Sequence, residues 1–198
     1  MGKPWIVRPL EMRSDLELFL EPGVVLLAKK GEFLGRGDSL LAATNASNIK
    51  ITAYGATILM NHRDYLLPPY EKAEWRMGLR LDGSTNILVE GLRIEGSGGD
   101  GIYIGATSTQ RYCKDVTIRD VTCFDNHRQG MSVIGAENLL IENSTFANTW
   151  GTAPGAGLDL EPDSSNQRLV NIVVRNCTFE NNEGHEVLVY PKNLDATS

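Results

Sequence analysis

Residues 130–146, with the sequence GMSVIGAENLLIENSTF, contain the pattern that decides the fold. They hold three short runs, GMSV, NLLI and STF, in which apolar residues recur at every second position or nearly so. A period of two is typical of a β-strand, and each run is only three or four residues long. We expect a sharp corner at Asn143, between the second and third runs, because asparagine tolerates left-handed backbone.

The first of these runs recurs along the chain. Its copies begin at Gly78, Gly101, Gly130, Gly157 and Glu186. These starting residues are 23, 29, 27 and 29 apart, and copies of the second and third runs follow the first four. A unit of three short strands cannot bury its apolar face alone, so successive units must stack. The sequence therefore predicts an all-β protein, a single right-handed parallel β-helix with three short strands per coil and about six or seven coils.

Stacking in register predicts which side chains point inward and which point outward. The inward columns are Leu79, Ile102, Met131, Leu158 and Val187, and Ile94, Cys123, Phe146 and Phe179. The outward column of the first strands is Arg80, Tyr103, Ser132, Asp159 and Leu188. Asn143 and Asn176 should stack in an internal ladder, with amides that bond along the axis. A βαβ protein is disfavoured because helical periodicity is lacking, although residues 68–77 (PPYEKAEWRM) permit a short helix.

Length and charge limit the possible functions. The 198 residues predict one domain, 1–198, with an N-terminal edge (1–38), regular coils (39–189) and a C-terminal tail (190–198). The net charge of −6 and the lack of a basic stripe argue against nucleic acid as a partner. No apolar run is long enough for a membrane span, and no signal peptide is expected in this sequence. Exposed coil edges favour pairing with other chains, so a homo-oligomer is one expectation.

Three stretches carry a resemblance to known proteins. Residues 99–105 (GDGIYIG), 48–58 (NIKITAYGATI) and 20–25 (LEPGVV) resemble coil motifs of the pectate-lyase-like and polygalacturonase-like β-helices. The resemblance implies a secreted bacterial protein that acts on a polysaccharide or oligosaccharide in a groove along the outer face of the first strands. Asp100 and His185 loosely match the catalytic motifs of the pectin hydrolases. No cofactor is required by this resemblance, but calcium is common among such proteins.

The best catalytic candidates lie in residues 157–163, GLDLEPD. Asp159 and Glu161 are two residues apart on a strand, so they share a face with Cα atoms about 6.6 Å apart. Such a carboxyl pair suits inverting glycoside hydrolysis, and like charge should raise one pKa as a general acid needs. The same residues with Asp163 offer three oxygen donors for calcium. The alternative is that these residues form an exposed acidic strand end whose charges only increase solubility.

Other candidates lie in the loops around this column. His127 is a candidate base, and Arg128 should reach into the groove and pair with Asp159. The predicted substrate-binding residues are Arg80, Tyr103, Arg128, Asp100, His185 and Trp150, with Tyr103 the best aromatic platform for a sugar. Three functions stay open at this point: polysaccharide hydrolysis by the carboxyl pair, a calcium-dependent polysaccharide lyase, and a non-catalytic glycan-binding, adhesion or structural segment.

Overall fold

The computed structural model describes residues 3–195, which form eighteen strands in chain order. Their bounds are β1 (Trp5–Val7), β2 (Leu10–Glu11), β3 (Leu16–Phe19), β4 (Val25–Ala28), β5 (Leu41–Thr44), β6 (Ser47–Leu59), β7 (Leu79–Asp82), β8 (Thr85–Glu95), β9 (Ile102–Gly105), β10 (Cys113–Arg119), β11 (Thr122–Phe124), β12 (Met131–Val133), β13 (Ala136–Glu142), β14 (Thr145–Ala147), β15 (Leu158–Leu160), β16 (Leu169–Arg175), β17 (Thr178–Glu180) and β18 (Val187–Val189).

All of these strands pair in parallel and build two sheets. The first strands of the coils form a seven-stranded sheet in the order β2-β5-β7-β9-β12-β15-β18, here called the first sheet. The second and third strands form an eleven-stranded sheet, which is continuous because β6 and β8 run through their corner without a break. Each first strand pairs with the first strand one coil later, as in Tyr103 beside Ser132 and Ser132 beside Asp159. The predicted parallel β-helix is therefore confirmed.

The predicted inward columns form the core. Leu79, Ile102 and Met131 have no exposed surface, and Leu158 is 1% exposed. In the third column Cys123 pairs with Phe146, whose ring stacks on Phe179 with centroids 5.4 Å apart. Burying these aliphatic and aromatic side chains supplies the main driving force for stacking. Val187, at the last strand, is 46% exposed because no described coil covers it.

Left-handed residues make the corners. Asp120, Asn143 and Asn176 all have positive φ, between 52° and 54°, at the corner between second and third strands. Glycine occupies this corner in β8, where a Cβ on Gly91 would lie 2.5 Å from the ring of Tyr54. The amide of Asn176 donates to Asn143 at 3.4 Å, as predicted. Both side chains are exposed, however, so the ladder runs along the outside of the column and the internal placement was wrong.

Residues 68–77 do not form the helix that the sequence permits; within 3–195 the only helical turn is a 3-10 turn at Asp64–Leu66. Two consecutive prolines remove two backbone N–H donors from this stretch. A buried arginine holds the loop instead. Arg76 donates to the carbonyl oxygens of Phe33 at 2.8 Å and Glu71 at 2.9 Å, which ties the loop to its neighbour.

Apolar side chains are exposed at both ends of the helix, among them Trp5 and Phe19 at one end and Val187 and Val189 at the other. These edges are what the homo-oligomer expectation rests on, and that expectation stays a prediction. In the described part of the chain no helix has the length and apolar character needed to cross a bilayer.

Candidate functional site

Chemistry-bearing side chains converge on the outer face of the first sheet, near its C-terminal end. A groove of about 480 Å³ lies there, lined by Arg128, Ala153, Pro154, Glu161, His185, Leu188 and Tyr190. Glu161 directly follows β15, while Leu188 lies on β18 and Tyr190 directly follows it. Arg128 and His185 come from the turns that enter β12 and β18. The groove therefore combines side chains from three consecutive coils. We call it the first-sheet groove.

Asp159 lies on β15, two residues before Glu161. It is on the outward column, as predicted, but it is only 1% exposed. The amide Nε2 of Gln129 donates to its Oδ2 at 3.0 Å, and Gln129 Oε1 accepts from the backbone N–H of Ala156 at 2.8 Å. Its other oxygen, Oδ1, is buried and accepts no hydrogen bond within residues 3–195. One oxygen is thus fixed and the other is left to carry a proton.

Burial, and after it the charge of Glu161, raise the pKa of Asp159 to about 7. Arg128 opposes this shift but does not cancel it. The negative charge of Glu161 opposes ionisation of Asp159, because two nearby carboxyl groups cannot both be ionised cheaply. Asp159 therefore holds a proton near neutral pH, as a general acid needs.

Asp100 is a second buried carboxyl, placed just before β9. It has no exposed surface, and burial raises its pKa to about 6. Nη1 of Arg128 lies 3.5 Å from Oδ2, and neither carboxylate oxygen receives a well-formed hydrogen bond. Arg128 thus forms its ion pair with Asp100. The sequence had suggested Asp159 as its partner, and that prediction was wrong. The positive charge of Arg128 lowers the pKa of both Asp100 and Asp159, so Arg128 links the two carboxyls electrostatically.

Arg80, Asp82 and Tyr103 form the next part of the outer face. Nε of Arg80 donates to Oδ2 of Asp82 at 2.6 Å, and its guanidinium lies 5.3 Å from the ring centroid of Tyr103. One face of the Tyr103 ring is therefore covered by a cation. Burial raises the pKa of Tyr103 above its ordinary value. Gly105 makes this packing feasible, since a Cβ there would lie 2.2 Å from the tyrosine ring.

His127 and Trp150 meet each other in the loop wall. The indole of Trp150 contacts the rings of His127 and His62 edge-on, each with centroids 5.0 Å apart, and its Nε1–H donates to Asp125 at 2.8 Å. Burial lowers the pKa of His127, and the nearby charge of His62 adds to this. Nε2 of His127 lies 3.4 Å from the hydroxyl of Thr152. In this structure His127 and Trp150 pack against each other to support the wall.

Asp163 follows Glu161 by two residues, and His185 comes from the turn that enters β18. His185 is exposed and lines the groove. Asp163 is exposed as a residue, yet partial burial of its carboxyl, and then the charge of Glu161, raise its pKa. Within residues 3–195 no three His, Cys, Asp or Glu side chains are grouped so that they could hold a metal ion. The calcium site at Asp159, Glu161 and Asp163 therefore stays a prediction that the side-chain arrangement does not support.

Gln129 is the site residue that sequence reasoning missed. It has no exposed surface and fixes the orientation of Asp159. Aligning the coils on their glycines would have found it, since Gln129 precedes Gly130 exactly as Asp100 precedes Gly101. The backbone confirms this equivalence, because Gly101 N–H donates to the carbonyl of Gln129 at 3.0 Å. Polar residues at this position lie beside the outward column of the first sheet.

A larger trough, of about 670 Å³, runs along the outer face of the second strands. Its floor is the column Leu88, Thr117, Leu140 and Val173, and its edge is a ladder of left-handed residues. In this ladder Asn138 donates to Asp115 at 2.7 Å and Asn171 donates to Asn138 at 2.9 Å. These bonds stabilise the corner, so we assign the trough a structural role and place the site in the first-sheet groove, where the proton-holding carboxyls lie.

Comparisons with known proteins agree with this architecture. YorA, an SPbeta prophage-derived uncharacterized protein of Bacillus subtilis, is 28% identical over 196 residues, which cover 90% of this chain and 33% of YorA. YclG, an uncharacterized protein of the same organism, is 29% identical over 128 residues, 58% of this chain and 22% of YclG. The chain thus spans about a third and about a fifth of these two relatives.

A solved structure from Parabacteroides merdae, of a protein provisionally assigned as a glycosyl hydrolase, is similar with a TM-score of 0.55 and 14% identity. The similarity covers 93% of this chain and 79% of that one, and it shows a shared fold. The family described as "Right handed beta helix region" matches residues 39–197. With this match over most of the chain, and with parallel three-strand coils throughout, the protein belongs to the right-handed β-helix family.

Proposed function

We propose that this β-helix acts on a polysaccharide by hydrolysing a glycosidic bond in the first-sheet groove. The observation that carries the proposal is the buried Asp159 carboxyl, whose pKa is raised to about 7 beside Glu161. Glycoside hydrolysis needs an acid that still holds its proton near neutral pH and a second carboxylate. The groove volume of about 480 Å³ is in the range of small-ligand sites. The fold shared with a provisionally assigned glycosyl hydrolase is compatible with this function.

In this proposal the Asp159–Glu161 pair is the general acid. Glu161 faces the groove, so the proton held by Asp159 passes through it to the glycosidic oxygen as the bond to the sugar carbon breaks. A water then attacks that carbon and gives up its proton. Because the pair acts as the acid, a different group must accept this proton, and that group must reach the groove. Our candidate is His185, which is exposed and lines the groove. Arg128 and Gln129 position the acid and its neighbour.

Activity on a panel of glycans tests this. We expect Asp159→Asn and Glu161→Gln each to lower kcat by at least about a hundredfold, the lower end of what a general acid contributes. Glu180→Gln is the matched control, because Glu180 is an exposed carboxylate on β17, in the other sheet. Equal turnover in the parent and both site variants would remove the assignment.

Two alternatives remain predictions. A calcium-dependent lyase would require the acidic side chains to rearrange around an ion, and calorimetry with calcium alone would detect such binding. A non-catalytic segment would show no turnover of any glycan in the panel, with glycan binding if it is a binding domain and without it if its role is structural. The hydrolase proposal includes an extracellular location, because such an enzyme would meet its polysaccharide substrate outside the cell.

A further inference from the structure

The long loop between β6 and β7 encloses a second cavity, of about 280 Å³, which we call the loop pocket. Among the side chains that line it are Arg36, Lys72, Glu74, Trp75, His127 and Thr152. His127 and Thr152 are followed directly in the chain by Arg128 and Ala153, which line the first-sheet groove. The same two turns therefore wall both cavities, and a chain-like ligand in the groove can cross these turns into the loop pocket.

Trp75 gives the loop pocket an exposed aromatic ring. The residue is 39% exposed, and the guanidinium carbon of Arg36 lies 4.9 Å from its ring centroid. This cation–π contact orients the indole while part of the ring stays open to a ligand. An exposed aromatic ring in a cavity suits the apolar C–H face of a sugar.

The loop pocket also holds two cations without a carboxylate partner. Arg36 and Lys72 are both exposed, and neither forms an ion pair with another residue of the range 3–195. Glu74 is the one carboxylate among the lining residues, and its charge acts on Arg128. Burial lowers the pKa of Arg128, but the charges of Asp100 and then Glu74 outweigh that burial and raise it. Glu74 is thus partly compensated by Arg128, which leaves Arg36 and Lys72 to attract an anionic group.

We infer that the loop pocket binds a second sugar unit of the same glycan, one that bears a carboxylate, an inference that rests on the proposed binding of a glycan in the first-sheet groove. Trp75 packs against the ring of this sugar, and Arg36 and Lys72 donate charge-assisted hydrogen bonds to its carboxylate.

The sugar unit in the first-sheet groove should instead be neutral. Glu161 lines that groove and repels a carboxylate, while Arg128 is already paired with Asp100 at 3.5 Å. The two cavities together therefore favour a glycan that combines neutral and acidic units over a polymer in which every unit is acidic.

Calorimetry with three oligosaccharides of equal length tests the inference on the whole chain. The first alternates glucuronic acid with N-acetylglucosamine, the second is the same oligomer with methyl-esterified carboxylates, and the third is an oligomer of galacturonic acid. We expect the first to bind at least about tenfold more tightly than its ester, the size of one charge-assisted hydrogen bond. The galacturonate oligomer should bind more weakly than the first. Added salt should shrink the preference over the ester, because it screens the charges.

Variants locate the preference in the loop pocket. Arg36→Gln should lower the tenfold preference to about threefold or less, because one of the two cations is lost. Arg111→Gln is the matched control, since Arg111 is exposed in the turn between β9 and β10. Trp75→Ala should weaken binding of the alternating oligomer and of its ester alike, by about threefold to tenfold, because ring packing does not depend on the charge. Trp5→Ala, at a side chain 68% exposed on β1, should leave both affinities unchanged.

Each outcome decides for or against the inference. Equal affinity for the alternating oligomer and its ester, a preference that survives Arg36→Gln, tightest binding of galacturonate, or no binding of any oligomer would overturn it. A preference that depends on Arg36 and Trp75, without cleavage of any glycan, would uphold the inference and remove hydrolysis. Cleavage that depends on Asp159 but not on Arg36 or Trp75 would leave hydrolysis standing and remove the loop pocket as a sugar site.

Discussion

Replacing Asp159 with asparagine should remove a pH dependence of stability. The pKa of Asp159 is about 7 in the folded chain against an ordinary value of 3.8, and burial is the main cause. Because the folded-state pKa is raised, the stability that depends on this carboxyl is fully present below the unfolded pKa. It is lost as pH rises through the folded pKa. The loss accumulates between about pH 4 and pH 7 and amounts to about 4 kcal/mol for this change in pKa.

Asparagine has nearly the same shape and carries no charge to bury. It can accept from Gln129 through its oxygen, as Asp159 does now at 3.0 Å. The variant should therefore escape the loss. Relative to the parent it should gain about 3 kcal/mol in free energy of unfolding between about pH 5 and about pH 8. Most of that gain should come before pH 7.

Urea unfolding of both proteins at four pH values in this range measures the effect. Asp100, whose pKa is raised to about 6, is present in both proteins, so only its electrostatic interaction with Asp159 remains in the difference. Glu180→Gln controls for a general effect of removing one negative charge. The reasoning is refuted if the stability difference between Asp159→Asn and the parent stays constant over this range.

Three further predictions concern other residues. Arg128→Leu should raise the pKa of Asp159 further, because Arg128 now lowers it, so the alkaline limb of the pH–rate profile should move to higher pH. Phe146→Ala should cost about 3–5 kcal/mol in urea unfolding, because Phe146 is fully buried; Phe19→Ala, at a side chain 62% exposed, should stay within about 0.5 kcal/mol. A maleimide reagent should label only Cys177 in the native chain and all three cysteines after unfolding, since Cys113 and Cys123 are buried; native labelling of Cys123 would contradict the core packing.

The stacking of the coils could be predicted from the sequence because it depends on short-range rules. A period of two sets the inward and outward faces of each strand, and left-handed residues such as Asn143 mark where one strand ends. Once the glycines before the first strands are aligned, the pairing of Tyr103, Ser132 and Asp159 follows. A one-residue slip would turn every apolar side chain outward, so only one register buries the core.

The pairing of side chains around the groove could not be predicted in the same way. Arg128 was expected to meet Asp159, but Gln129 occupies that place and Arg128 turns to Asp100. His127 was expected in the groove, but its ring contacts Trp150. All of these partners come from turns of variable length, and nothing in a strand period fixes where such a turn places a side chain.

Protonation of the candidate acid thus depends on two levels of structure. The strand places Asp159 outward, where a solvated carboxyl would keep an ordinary pKa and could not act as an acid at neutral pH. The turn that precedes β12 then covers it, and a single amide from Gln129 compensates only one of its oxygens. A shorter or more polar turn on the same coil would leave the fold intact and abolish the acid. Among β-helices of this family, differences in activity should therefore track the turns that enter the first sheet more closely than the strands themselves.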